Sequence, residues 1–256
     1  MTTADTFDLG EYTRTAVGSH RAELSLEDYD AAPVLPETLR SLAYLRNVER
    51  ATMSHLRGLL ITPPHKDAYV TAFLTTWAYE KYWIADALDG VIAWHEANGA
   101  EPAPAALTLA PRERSVREAI YGNLIGVDLI PTHLVMSVVD EWITQAAYER
   151  ILELDPNERL AITLTRLLDV KRRQLQFFEE VSRERLAASP RAQRLAAKHL
   201  RRVDWPIGSR AEPRDETRHF FDRLFAPVPT LVAEIDRRVD TLPGLSGLHL
   251  LERSLP

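Results

Sequence analysis

The sequence predicts an all-α fold, and three observations carry that expectation. Apolar residues recur at helical spacing through four long stretches, no stretch alternates with the two-residue period of a strand, and prolines and glycines gather between the stretches. With 256 residues and 45% hydrophobic content, the chain can bury a substantial core, and its length suits one large domain.

Residues 1–33 are polar and lack a sustained period, so they read as a loosely attached N-terminal arm ahead of a single helical domain over 34–256. The first long helix opens at Pro36 with Glu37 in its first turn and stops at "TPPH", where two prolines forbid continuation. A second helix is predicted from about Asp67 to His95, ended by "EANGAEPAPAA", and a shorter helical piece over 111–122 follows it. The third long helix spans about Asp128 to Leu154 and tolerates Pro131 in its first turn. "DPNER" separates it from a fourth at 157–188, with Asp155 or Asn157 as its cap. Shorter helices are expected at 190–202, 213–225 and 229–240. One short turn, one proline break and one long crossover between four long helices describe a four-helix bundle with additional C-terminal helices.

Composition excludes several classes of function. A formal charge of -6 gives no global electrostatic basis for binding nucleic acid or an anionic membrane, and no run is apolar for long enough to cross a bilayer. The chain has no cysteine, which removes disulfide scaffolds, thiolate metal sites and cysteine nucleophiles, and it starts without a basic and apolar leader. A cytoplasmic protein is the resulting expectation.

The four core stripes carry the informative anomaly. They run through Leu42, Leu45, Glu49, Thr52, Leu56 and Leu59; Val70, Leu74, Trp77, Lys81, Ile84 and Leu88; Leu134, Val138, Glu141, Gln145, Tyr148 and Leu152; and Leu160, Leu164, Leu167, Lys171, Gln174, Phe178 and Val181. Each is apolar at its ends and polar near its middle. A lone charge in such a core costs several kcal/mol of desolvation, but Glu49, Lys81, Glu141 and Lys171 alternate in sign and together carry none. They are the predicted core quartet and the candidate catalytic residues. Thr52, Trp77, Ile84, Gln145, Tyr148 and Gln174 are the predicted substrate-binding neighbours. A shift of one residue in the second helix would turn Glu80 inward in place of Lys81.

With these stripes the chain resembles the ferritin-like superfamily of di-iron carboxylate proteins, most closely actinobacterial members of similar length. The likeness covers about residues 35–250 and is most specific in "FLTTWAYEKYW", "VDEWITQAAYERI" and "IDRRVDTLPGL". Such bundles use a Glu from each of two helices and a Glu-x-x-His from each of the other two. The resemblance places the single glutamates on Glu49 and Glu141, and the two Glu-x-x-His pairs on Lys81 and Ile84 and on Lys171 and Gln174. Two carboxylates and both imidazoles of a metal site are therefore absent. Lysines have taken the seats of cations, so the resemblance implies a degenerate site with no metal and no cofactor.

Other candidates are weaker. Glu216 and His219 form the chain's literal Glu-x-x-His, but the phenylalanines beside them should turn both to solvent. His55, His65, His95, His133 and His199 show no ligand spacing and read as surface residues. Trp77, Trp83, Trp142, Tyr79, Tyr82 and Tyr148 lie near the quartet in sequence and either line a pocket or pack the core. The basic run over 183–202 reads as a solvated face or an attractor of anionic partners. No phosphate loop, nucleophile elbow or dinucleotide fingerprint is present.

Three functions follow as alternatives. The first is a metal-free ferritin-like enzyme for an organic small molecule, in specialised metabolism as the resemblance implies, using acid/base or electrostatic chemistry of the lyase, isomerase or cyclase kind. The second is a pseudoenzyme, a binding or scaffold protein whose quartet only fills an obsolete cavity. The third is a di-iron-type oxygenase with a modified site. The expected partners are a small-molecule substrate and, as an option, a second copy of the chain.

Overall fold

The helix boundaries follow the caps that the sequence supplies. The computed structural model describes residues 6–60, 63–103, 126–209 and 212–253. Among these it contains α1 (Leu9–Arg14), α2 (Pro36–Leu60), α3 (Ala68–Ala97), α4 (Leu129–Leu154), α5 (Glu158–Ala188), α6 (Pro190–Leu200), α7 (Arg214–Leu224) and α8 (Pro229–Asp240), and no strand. The predicted short helix at 111–122 lies outside the described residues.

Asp67 caps α3 by accepting the Val70 N–H at 3.0 Å, Asn157 caps α5 by accepting that of Leu160 at 2.7 Å, and Ser189 caps α6 through Ala192 at 3.1 Å. Each such cap satisfies an amide that the helix itself leaves unpaired and contributes about 1 kcal/mol. Of the two proposed caps for α5, Asn157 does the work. Asp155 instead accepts the N–H groups of Asn157 and Leu35, tying the start of α2 to the α4–α5 turn. Proline opens α2, α6 and α8, where its missing N–H costs nothing. The "TPPH" break includes a single 3-10 turn at Pro63–Lys66.

The long helices pack as two pairs, α2 with α3 and α4 with α5, and contacts of α2 with α4 and α3 with α5 close the bundle. α6 and α8 lie on α4, and α7 bridges α2 and α4. The stripes face inward: Leu42, Leu45, Val70, Ile84, Leu88, Val138, Leu164 and Phe178 are at most 1% exposed. Among the described residues, no helix is long and apolar enough to cross a membrane.

The described part of the leading segment, residues 6–33, is not loosely attached. Tyr12, Leu24 and Tyr29 are buried, and the Tyr12 ring stacks on Phe73 of α3 at 5.1 Å. Its few apolar side chains are too widely spaced for a helical period, so sequence alone conceals how they dock. The anchor is Glu80 of α3, which is fully buried. Its carboxylate accepts the Tyr12 hydroxyl at 2.6 Å, the Val17 N–H at 3.0 Å and the Gln174 side-chain amide at 2.9 Å.

Candidate functional site

At mid-height of the bundle the four predicted charges meet. Lys81 Nζ lies 2.7 Å from Glu49 Oε2 and 2.5 Å from Glu141 Oε1, and Lys171 Nζ lies 2.8 Å from Glu49 Oε1 and 2.9 Å from Glu141 Oε2. One residue comes from each long helix, α2 to α5. The result is a closed ring in which every charge touches two of opposite sign, and none of the four residues is more than 2% exposed.

Helical geometry explains the convergence. Each charged residue stands on its helix's core stripe, and the two helix pairs bring their midpoints to one level. A contact near 2.7 Å is worth about 6 kcal/mol of attraction at an effective dielectric of about 20, while each buried ion loses several kcal/mol of hydration. Two contacts per charge offset that loss; one would not.

The electrostatics fix the protonation states. Burial by itself would release the Lys81 proton, but the carboxylates of Glu141 and Glu49 overcome it and hold the pKa of Lys81 above its ordinary value. Burial likewise opposes ionisation of Glu141, and the ammoniums of Lys171 and Lys81 win, keeping its pKa below the usual carboxylate range. Tyr148 donates its hydroxyl to Glu49 at 3.3 Å, with the Lys171 ammonium 5.5 Å from its ring, and its own ionisation is pushed up by burial and by Glu49.

The predicted neighbours separate into contacts and bystanders. Trp77 aims its Nε1–H at Glu141 from 3.4 Å, and Gln145 donates to the Lys171 backbone carbonyl at 3.1 Å. Gln174 turns away to Glu80. Ile84 supplies packing, and Thr52 is buried without a bond to any of the four charges. Tyr79 and Tyr82 do not line a pocket: they stand on the outer face of α3, 48% and 54% exposed. Trp142 bonds Glu179 at 2.6 Å and stacks under Arg238, away from the ring. The question between Glu80 and Lys81 resolves into both being inward, Lys81 to the bundle centre and Glu80 to the seam under the N-terminal segment.

Sequence reasoning missed Asp140. It precedes Glu141 on α4, is buried, and accepts the Ile207 N–H at 2.6 Å from the segment linking α6 to α7. Burial raises its pKa to about 7 against the opposing pull of Lys81, and among the described residues no ion pair to its carboxylate is formed. Glu212, at the other end of the same segment, is buried too, and burial lifts its pKa to about 7 while Asn47 donates to it at 3.3 Å. The segment is pressed onto α2 at Gly208, whose φ of 101° suits glycine and where a Cβ would stand 2.8 Å from the Ala51 side chain. The signal available in sequence was the pair Asp140 and Glu141 itself, two adjacent acids after a run from Leu129 to Val139 that contains no Asp, Glu, Lys or Arg.

Two lesser readings also change. Glu216 is not turned to solvent, since Arg40 grips it with two bonds of 2.8 Å, and its neighbour His219 pairs with Glu37 at 3.1 Å. His95 is a core residue that accepts the Val34 N–H at 3.0 Å.

A di-metal centre, the group that the ferritin-like resemblance calls to test, does not fit these residues. The space between Glu49 and Glu141 holds two ammonium nitrogens, Ile84 offers no donor atom, and Gln174 directs its amide nitrogen to Glu80. A divalent cation there would meet roughly 8 kcal/mol of repulsion from each lysine at about 4 Å and an effective dielectric of about 20. No family model, curated protein or solved structure matches the chain.

Proposed function

We propose that this protein is a metal-independent bundle of ferritin-like architecture whose central quartet is structural, and that it works as a helical binding or scaffold protein. The observation that carries this reading is the closed ring: four charges each satisfied twice and none more than 2% exposed. A general acid or base must come within hydrogen-bond reach of its substrate. A ring whose charges are spent on one another and sealed from solvent offers no such reach. Lys81, held protonated, is a poor nucleophile, which removes Schiff-base chemistry as well. The same ring fixes the register of four helices at once. A chain without cysteine needs no oxidising compartment, which suits the cytoplasm.

Replacing the whole ring tests this. The variant Glu49→Leu, Lys81→Met, Glu141→Leu, Lys171→Met should fold with the same helical circular dichroism and a stability within about 1 kcal/mol of wild type or above it, as buried ion groups often allow. Loss of turnover of any substrate in that variant, with the fold intact, would overturn the structural assignment. Stoichiometric iron or manganese in protein grown with both metals would do the same.

One observation favours a second reading, a cofactor-independent acid/base enzyme for an organic small molecule. Asp140 is a buried carboxyl with a pKa near neutrality, beside the ring and beneath one short surface segment. In that reading Asp140 exchanges the proton, while Glu141 and Lys81 set the field around it. A small molecule that raises the thermal midpoint of wild type but not of Asp140→Asn would favour the enzyme over the scaffold.

A further inference from the structure

The exposed face of α6 holds a surplus of positive charge. Residues 185–203 contain six lysines and arginines and no aspartate or glutamate; the whole chain carries -6, so its other residues together carry -12. At about 100° per residue, Arg191, Arg194, Lys198, Arg201 and Arg202 fall within about 100° of arc. All five are exposed, opposite the buried Ala192, Ala196 and Leu200. Arg191 pairs with Asp128 at 3.5 Å, but among the described residues the other four form no ion pair. Elsewhere Arg21, Arg40 and Arg159 each face a carboxylate. His199, on the flank of the stripe, registers the surplus: burial, Arg202 and Lys198 all hold its pKa below the ordinary value. Glu184 and Asp204 flank the stripe in sequence, and even with both set against the four open cations two positive charges remain.

We infer that this face of α6 docks an acidic α-helix of a partner protein, one with carboxylates at matching intervals along one line. Arg191, Arg194, Lys198 and Arg201 are spaced by three, four and three residues, the intervals at which one side of any helix presents its side chains. A partner helix laid alongside, with acids at the same intervals, meets each cation in turn over about 15 Å. From Ala187 to Arg202 the other exposed residues are Ala187, Ala188 and Pro190, so nothing bulky holds such a rod away. Other polyanions fit less well. A nucleic acid would run past the stripe into the field of the remaining -12, and the face offers no aromatic ring for a base. A membrane surface calls for large apolar side chains beside the cations, and the exposed positions hold only alanine and proline.

The inference extends the scaffold reading by naming a partner; it uses no residue of the ring, so its failure leaves that reading standing. Exposed ion pairs are screened by salt and act mainly on encounter, so the contact should be transient and strongly dependent on ionic strength.

The test titrates the full chain into a fluorescein-labelled designed helical hairpin that carries four glutamates along one outer line at the same three, four and three intervals. A reference hairpin carries the same glutamates scattered around its helices, so its net charge is unchanged. Fluorescence anisotropy at about 50 mM salt should give a Kd of about 10–300 µM for the aligned hairpin, at least about fivefold weaker for the reference, and at least about tenfold weaker for both at about 300 mM salt. Arg194→Glu with Arg201→Glu should weaken binding at least about tenfold. Arg214→Glu with Arg218→Glu, exposed on α7, changes the net charge equally and should stay within about threefold of wild type. Circular dichroism checks folding, and Arg194→Gln with Lys198→Gln, which adds no negative charge, reads the same face should charge reversal disturb α6. Equal affinity for the two hairpins, or binding undiminished by both sets of α6 changes, overturns the inference. So does tighter binding to a duplex DNA or to phosphatidylserine vesicles, which would assign the face to phosphate, or no binding of the aligned hairpin at low salt.

Discussion

Two buried polar regions lie within one helical turn of each other and behave in opposite ways. In the ring, Glu141 has two ammonium partners and is held ionised; at its neighbour Asp140, an N–H from Ile207 is the only direct bond among the described residues, and burial drives the pKa to about 7. Glu212 repeats the second pattern with Asn47 as its donor. Depth of burial does not separate them. A carboxylate in a dry core keeps its charge when cations touch it and tends to give it up when only neutral dipoles do. The ring is therefore insensitive to pH through the neutral range, and the α6–α7 segment is where the molecule should sense protons.

The contrast breaks most sharply on removal of one ring member. Lys171→Met leaves Glu49 and Glu141 sharing one ammonium in a sealed core, and urea titration should show a loss of about 3–5 kcal/mol, against the near-neutral result for the fourfold replacement. Parity between the single and fourfold variants would mean that the ring's charges do not act together.

The next largest effect is on pH dependence. The folded-state pKa of Asp140 lies above its ordinary value, so the folded protein binds more protons and loses stability as pH rises from about 4 to about 7, with no further loss above. Asp140→Asn cannot ionise, so it should flatten this slope and gain about 2–4 kcal/mol over wild type at pH 8, read by urea unfolding at a series of pH values. Glu212 contributes a slope of the same sign, so Glu212→Gln should flatten what remains. Glu141 works the other way: its depressed pKa makes its contribution vanish only as pH falls below the ordinary carboxylate range.

Glu80 sharpens the comparison with the smallest effect. It is a third solution, a buried carboxylate bonded by three neutral donors, Tyr12, Val17 and Gln174. Tyr12→Phe removes one donor while keeping the ring stacked on Phe73, and should cost about 1–3 kcal/mol. Hydrogen exchange should rise first in residues 9–17, because these depend on Glu80 for their seat.

The ring was legible in sequence because its members sit on core stripes of long helices, where local periodicity tells which way a side chain points. Glu80 and Asp140 were opaque for the opposite reason. Each faces a seam, and its partners come from Tyr12, Val17 and Ile207, far away in sequence and on segments without a period. Tyr79 and Tyr82 show the same limit, since proximity to Lys81 along the chain put them near the ring in sequence and on the outer surface in space.

By itself, the sequence determined that the chain is helical, where seven of its helices begin and end to within a few residues, and that four charges of alternating sign point inward, because these depend on spacing within single helices. Only the tertiary structure decided that those charges close into one sealed ring, that Asp140 and Glu212 stand buried outside it, and that the leading segment is bolted down by Glu80. Periodicity fixes the direction of a side chain from its own helix axis. Partnership depends on which distant segment arrives opposite it, and that is settled by packing alone.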